Sequence, residues 1–284
     1  MSLRAGEGWA CSSCSSGDPT LTVMGTELPF EGRKRLSLET RYRGDAIGDP
    51  QLEGIRLQEL RTDLNVAYTP SVRWTLSASV PLIARSVTYV NLAQDRVLGL
   101  GDIELRVRRL LWRDRSFMPQ HVLSGQVGLK LPSTPLAVGV DQQPLDSSAQ
   151  PGSGSWDPSL ALSYGVFAHP YSAYISVTGV RPSEGYLNER VGASLRSTWM
   201  VQAQPLEPLS IRGGLDMRWD AVNLEDGQVE PDSGGFISFV ALDLLVQPKQ
   251  DWLVRVGGAL PVVQKLNGYH QESPLLTVGA VYDF

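Results

Sequence analysis

The 284-residue sequence lacks several features that mark common classes of protein. It has no run of about 18 apolar residues, which excludes a transmembrane helix. It has no basic stripe and a formal net charge of -5, which excludes the nucleic-acid binders. Glycine and proline are plentiful, at 28 and 19 residues, and favour many turns over long helices. The length fits one large β domain or two ordinary domains.

The amino terminus lacks the apolar core of a signal peptide, because residues 1–8 read MSLRAGEG. If the protein is exported, we expect either a leader that precedes this sequence or a start codon further upstream. If neither exists, the protein is not exported. Residues 1–32 are rich in Gly, Ser and Pro and show no sustained hydrophobic period. They predict an irregular N-terminal segment.

From residue 33 the pattern changes to alternation of apolar and polar residues. Leu36 and Leu38 alternate with Arg35 and Glu39, and this period of two predicts a strand with one apolar and one charged face. About twelve such segments follow one another as far as Phe284. A soluble β-sandwich and a β-barrel give the same alternation, so the lengths of the connections between strands have to distinguish the two folds.

The connections between the predicted strands alternate in length. Tight turns follow the even-numbered strands and longer loops follow the odd-numbered ones, the longest at residues 84–99 and 132–156. A Greek-key sandwich has no reason to segregate lengths in this way. We therefore predict an all-β protein in the bacterial outer membrane. In it, residues 33–284 form a single transmembrane antiparallel up-and-down β-barrel of about 12 strands, residues 1–32 form a periplasmic segment, and both termini are periplasmic.

The last strand ends the chain on an aromatic residue, Phe284, with Tyr282 two positions earlier. This ending resembles the closing strand of outer-membrane β-barrels of Gram-negative bacteria. The resemblance implies that Phe284 is part of the signal read by the barrel-assembly machinery. Other aromatic residues also cluster near predicted strand ends, where a membrane interface places them. They are Tyr42, Tyr68, Trp74, Trp112, Trp219 and Trp252.

Three short motifs carry a second resemblance. They are GLGDIEL at residues 99–105, GLKLPS at 128–133 and GSGSWDP at 152–158. Together they resemble the outer-membrane proteins grouped as the meta-pathway phenol-degradation family, also described as a transporter family. The resemblance implies passage of small, often hydrophobic or aromatic, compounds across the outer membrane. Ser133 stands where the family has Thr.

The polar rows of the predicted strands are expected to face the lumen. Because both signs of charge are interleaved, most of these groups should pair across neighbouring strands and stiffen the wall. Alternatively, an excess of arginine lines a constriction that favours anionic or polar solutes, and the two long loops fold inward. The predicted lumen-lining residues are Arg35, Glu39, Arg41, Arg61, Asp63, Arg73, Glu104, Arg106, Arg108, Lys130, Arg196, Arg212, Asp216, Arg218, Asp243 and Arg255.

An enzymatic function is not expected. A hydrolase barrel in the outer membrane needs a His and a Ser on one lipid-facing row, whereas His121 and Ser124 fall on opposite faces of a strand. Acidic residues between 220 and 234 lack the spacing of a calcium site, so we predict no metal and no cofactor. Cys11 and Cys14 are the only cysteines. They favour a small periplasmic disulfide, with a redox or a lipid-attachment role left open.

Two functions follow from these features. The first is a porin-like channel for passive passage of small solutes, with membrane lipid, the assembly machinery and the solute as partners and no nucleic acid. The alternative is a structural or docking barrel that binds a periplasmic protein through residues 1–32.

Overall fold

The computed structural model describes residues 31–48, 54–116, 119–139, 142–249 and 251–284. Regular structure in these ranges is almost entirely antiparallel β, and the helical elements described are single 3₁₀ turns at Ser147–Ala149 and Tyr186–Asn188. Across the described residues, no helix has the length and apolar character needed to cross a membrane.

Twelve long strands form the wall of a closed barrel. They are β1 (Lys34–Ile47), β2 (Ile55–Ser71), β3 (Trp74–Thr88), β5 (Glu104–Arg113), β6 (His121–Lys130), β7 (Asp157–Ala168), β8 (Tyr171–Val180), β10 (Ser194–Leu206), β11 (Leu209–Asp220), β14 (Gly235–Lys249), β15 (Trp252–Leu266) and β17 (Leu275–Asp283). Each pairs antiparallel with the wall strands before and after it, and β17 pairs with β1 to close the ring. The predicted twelve-stranded antiparallel barrel is confirmed, and closure leaves no exposed strand edge around the wall.

Five short strands lie in the connections. They are β4 (Gln94–Leu100), β9 (Glu189–Arg190), β12 (Asn223–Glu225), β13 (Gln228–Glu230) and β16 (His270–Glu272). β4 pairs with the end of β3, β16 pairs with the end of β1, and the other three form a small separate sheet. The predicted loop at 84–99 is therefore wrong. It is a hairpin, because the alternation continues through Arg85 and Val87.

The lengths of the connections divide the barrel into two rims. At one rim, here the turn rim, the wall strands are joined by residues 72–73, 114–120, 169–170, 207–208 and 250–251. Both ends of the described chain lie there, since Lys34 and Phe284 exchange backbone hydrogen bonds. The opposite loop rim carries the longer connections and all five short strands. The predicted segregation of short and long connections holds except at residues 114–120, a connection as long as residues 48–54 at the loop rim.

The outer face of the barrel is apolar all the way round. Every wall strand exposes at least one large apolar side chain: Leu38, Leu64, Leu76, Leu105, Val127, Leu162, Ile175, Trp199, Leu215, Leu242, Val256 and Val278 are examples in chain order. Exposed aromatic rings lie near the strand ends, as at Trp74 and Trp252 on the turn rim. A continuous apolar belt of this size is typical of a surface that water does not cover.

Candidate functional site: the charged interior of the barrel

Of the sixteen predicted lumen-lining residues, fifteen are buried or half-buried, opposite the exposed apolar row of their strand. Arg73 is the exception and requires a correction. It lies in the turn between β2 and β3 and is exposed, because a turn residue is outside the alternation of the wall.

On β1 and β2 the interior charges form a shared cluster. Arg41 and Arg61 lie directly opposite each other in the register. Both bind Asp63, at 2.5 Å from Arg41 and 2.9 Å from Arg61, and Arg41 also lies 3.7 Å from Glu39. Directly opposed like charges repel, so this pair depends on the carboxylate that the two guanidinium groups share.

A second cluster crosses the barrel closure. Arg255 binds Glu39 at 3.0 Å and Asp243 at 2.8 Å, and Asp243 also binds Arg212 at 2.7 Å. All four side chains are buried. The chain of contacts therefore joins β1, β15, β14 and β11 from the inside. Each carboxylate of this network is shared between two cations, which is the cross-strand pairing that the sequence predicts for a charge lattice.

Towards the loop rim, charged residues outside the predicted lumen-lining set also form ion pairs on the inner face, some of them with members of that set. Arg43 lies 3.2 Å from Glu59, and Arg85 binds the same carboxylate. Arg218 binds Asp220 at 2.6 Å and also Glu272. Arg85 falls in the predicted loop at 84–99, and the pairing of β4 and β16 with the wall reveals that Arg85 and Glu272 continue the inward rows.

One sector of the interior is apolar, which the sequence interpretation also missed. Met200, Ile237, Phe239, Ala241 and Ala259 form a buried cluster on β10, β14 and β15. The signal was present in β14, where residues 237, 239 and 241 share the parity of Asp243. The inward and the outward row of β14 are both mostly apolar in this stretch. Alternation alone therefore did not show which row faces the interior.

The three sequence motifs meet at the base of the 131–156 connection. The Asp102 carboxylate accepts backbone N–H groups from Ser153 at 2.8 Å and Thr134 at 3.2 Å. Lys130 donates to the Ser153 hydroxyl at 2.5 Å, lies 3.8 Å from Asp102 and pairs with Asp157. We call Asp102, Lys130, Thr134, Ser153 and Asp157 the clamp. It fastens both ends of the connection to the barrel wall.

Above the clamp, the connection is seated against the inside of the wall. Arg85 donates to the carbonyl oxygens of Ser148 at 2.9 Å and Gln150 at 2.6 Å. Ala149 is buried against Leu57 and Val87. The residues around 148–150 therefore occupy part of the barrel mouth. The sequence interpretation left inward folding of this loop as an alternative, and the structure places this part of it inward.

The small sheet at the loop rim holds a half-buried acid, Glu189. Burial, reinforced by the nearby carboxylates of Glu230, Glu225 and Asp146, raises the pKa of Glu189 to about 8, although a hydrogen bond from Ser147 opposes the shift. Glu189 lies in β9, outside the wall strands. Its carboxyl group links the small sheet to the 3₁₀ turn of the 131–156 connection.

At the turn rim, Phe284 is exposed on the outer face. Its ring stacks on the ring of Tyr282, with the two centroids 5.8 Å apart. The centroids of the Tyr282 and Trp252 rings lie 5.0 Å apart. Elsewhere on the outer face, between β3 and β5, the guanidinium of Arg109 lies 5.1 Å from the ring centroid of Trp74.

The groups weighed for catalysis lie apart. His121 Nδ1 is 2.7 Å from the hydroxyl of Tyr164, whereas Ser124 is buried on the inner face. Among the described residues, no group of three or more His, Cys, Asp or Glu side chains is arranged to hold a metal ion. Cys11 and Cys14, with their predicted disulfide, lie outside the described residues.

No family model matches the sequence, and no curated protein matches it. Solved structures do match. The COG4313 outer membrane channel from Pseudomonas putida F1 aligns with a TM-score of 0.73 at 15% identity, over 91% of this chain and 97% of that one. The translocator domain of the autotransporter NalP from Neisseria meningitidis gives 0.52 at 12% identity, over 92% and 91%. The NanC porin gives 0.50 at 9% identity, over 87% and 98%. At these identities the likeness shows the fold, and the chain shares the barrel fold of these outer-membrane proteins.

Proposed function

We propose that the protein is a porin-like channel in the outer membrane of a Gram-negative bacterium. It allows passive passage of small solutes, hydrophobic or aromatic ones among them, through an arginine-rich lumen of mixed charge. The observation that carries the proposal is the division of the wall strands into an exposed apolar face and a buried face that is mostly polar and ion-paired over much of the barrel. A barrel with an apolar outside and a polar inside fits lipid outside and water inside.

The orientation and the partners are part of the same proposal. Both ends of the described chain lie at the turn rim, and this rim faces the periplasm, with residues 1–32 on that side. Phe284 acts in recognition by the barrel-assembly machinery. Kinship with the meta-pathway phenol-degradation family is also part of the proposal. The three motifs that resemble that family support it, and so does their meeting in one clamp. The P. putida channel, which shares this fold over nine tenths of the chain, supports a channel role.

Single-channel recording in planar bilayers tests the proposal. We expect steady currents from the wild-type protein and a changed anion-to-cation permeability ratio when Arg41 and Arg61 are both replaced by Gln. Arg115→Gln is the matched control, because Arg115 is exposed at the turn rim. Absence of any current, together with capture of a periplasmic protein by residues 1–32, contradicts the channel and supports the docking alternative.

A further inference from the structure

The interior contains a chamber between the charged cluster of β1 and β2 and the apolar cluster of β14. It encloses about 1010 Å³ not filled by protein atoms, its open mouth included, of which about 90 Å³ can hold the centre of a water molecule. By the latter measure it accommodates several water molecules, or one small ring in their place. The chamber is therefore large enough for a single-ring solute, and its lining decides which one.

One side of the chamber is rich in cations. Six arginines and four carboxylates line it, with Arg41, Arg61 and Arg218 among the arginines. Arg41 and Arg61 share the Asp63 carboxylate, and Arg41 also lies 3.7 Å from Glu39. Glu39 and Asp243 bind Arg255, and Asp243 binds Arg212, so this linked group has four arginines and three carboxylates and carries a net positive charge. Each guanidinium has five N–H donors, more than one shared carboxylate can accept. A second carboxylate placed beside this pair would gain charge-assisted hydrogen bonds and reduce the repulsion between the two cations.

The other side is apolar. Phe239, Ala241, Ala259 and Leu275 line it, and Phe239 packs in the buried cluster with Ile237 and Met200. Apolar side chains that face water inside a barrel favour any solute that covers them. A site with one apolar wall and a few converging polar groups is the usual form of a small-molecule site.

We propose that this chamber binds an organic anion with a flat apolar body, of which an aromatic carboxylate is the simplest form. The carboxylate lies at Arg41 and Arg61, and the ring lies on Phe239 and Ala241. An inorganic anion leaves the apolar side uncovered, and an aromatic cation is repelled by the arginines. The inference rests on the proposed channel function, because the chamber is part of the solute path.

The test uses the full chain in lipid nanodiscs, with 4-fluorobenzoate and 4-fluorobenzylammonium as probes followed by fluorine NMR. Protein-free nanodiscs correct for partition into lipid. We expect saturable binding of the benzoate and at least tenfold weaker binding of the ammonium probe. Arg61→Gln, or Arg41→Gln if the first variant does not fold, should weaken benzoate binding about tenfold, the loss expected for one charge-assisted hydrogen bond.

Arg106→Gln is the matched control, since Arg106 is an ion-paired buried arginine on β5 that does not line the chamber. Phe239→Gln tests the apolar side and should also weaken benzoate binding. Equal binding of the two probes, or equal losses in the Arg61 and Arg106 variants, would overturn the inference. Currents in planar bilayers without benzoate binding would overturn this inference alone. Benzoate binding without any current would overturn the channel, and with it the place of the chamber on a solute path.

Discussion

Arg255 donates a hydrogen bond of 3.0 Å to Glu39 although their strands are not neighbours, because β17 lies between them. The residue of β17 that pairs with both is Gly279. Since glycine has no side chain, the two long side chains meet across the intervening strand. Gly257 leaves space beside Asp243, its direct partner on β14, which binds Arg255. Glycines in the wall therefore make room for the ion pairs around the barrel closure.

Replacing Gly257 by Ala should destabilise the barrel. The added Cβ would overlap Oδ1 of Asp243 and approach the carbonyl oxygen of Leu242 to 2.8 Å. We expect a loss of about 1–3 kcal/mol in the free energy of unfolding, the usual cost of overpacking. Urea-induced unfolding in lipid vesicles measures it. Gly179→Ala is the control, because nothing lies within 4 Å of a Cβ there. An equal loss in both variants would show that the crowding at Asp243 is relieved without cost.

Asp102→Asn should release the 131–156 connection. An asparagine side chain has one acceptor oxygen, whereas Asp102 uses both oxygens to accept backbone N–H groups from Thr134 and Ser153. One buried N–H group is left without its acceptor, at a cost of about 1–3 kcal/mol. Limited proteolysis of the intact protein should cut within 131–156 several-fold faster, and single-channel conductance should rise.

Asp251→Asn is the control for the clamp, since Asp251 is exposed at the turn rim. Arg85→Gln is a second variant that loosens the same connection from a different side, because Arg85 holds the carbonyl groups of Ser148 and Gln150. If proteolysis of the Asp102 and Asp251 variants proceeds at the wild-type rate, the clamp does not hold the connection.

The packing at Glu189 should depend on pH. Its pKa is raised to about 8 in the folded protein from an ordinary value of 4.5. The folded state therefore binds more protons than the unfolded state between these values. The stabilising contribution is complete below pH 4.5 and is lost as pH rises through about 8. Hydrogen exchange of the amides in β9 and in residues 147–149 should speed up between pH 6 and pH 9, beyond the intrinsic rate increase.

Glu189→Gln should remove this extra pH dependence and keep the hydrogen bond with Ser147. Glu207→Gln is a matched control, because Glu207 is exposed in the turn between β10 and β11. A pH profile that is unchanged in the Glu189 variant would assign the titration to another group.

Phe284→Ala should impair assembly in cells more than stability in vitro. The backbone hydrogen bonds between Phe284 and Lys34 remain, and the lost ring is 63% exposed on the outer face. We expect a several-fold drop in the heat-modifiable folded form in the outer membrane, with nearly unchanged urea unfolding of the refolded protein. Phe236→Ala, on the wall away from the terminus, is the comparison. Equal losses in the two assays would make Phe284 a packing residue.

Much of the fold could be predicted from the sequence, because a barrel wall with an apolar outer face and a polar inner face imposes a period of two along its strands. Leu36 and Arg35 reveal their faces in this way, and the turn residues at 72–73 and 207–208 separate short from long connections. The same rule failed for Arg73, which lies in a turn, and for residues 84–99, where the hairpin continues the alternation.

The sequence by itself determined the class of fold, the number of wall strands and which face of most strands is charged, since these depend only on local alternation. The tertiary structure alone decided which charges meet. Arg255 and Glu39 are 216 residues apart and come together only because the barrel closes. The packing of Phe239 against Met200 and Ala259 and the convergence of three motifs on Asp102 likewise depend on which segments lie side by side, and the alternation within one strand does not specify this.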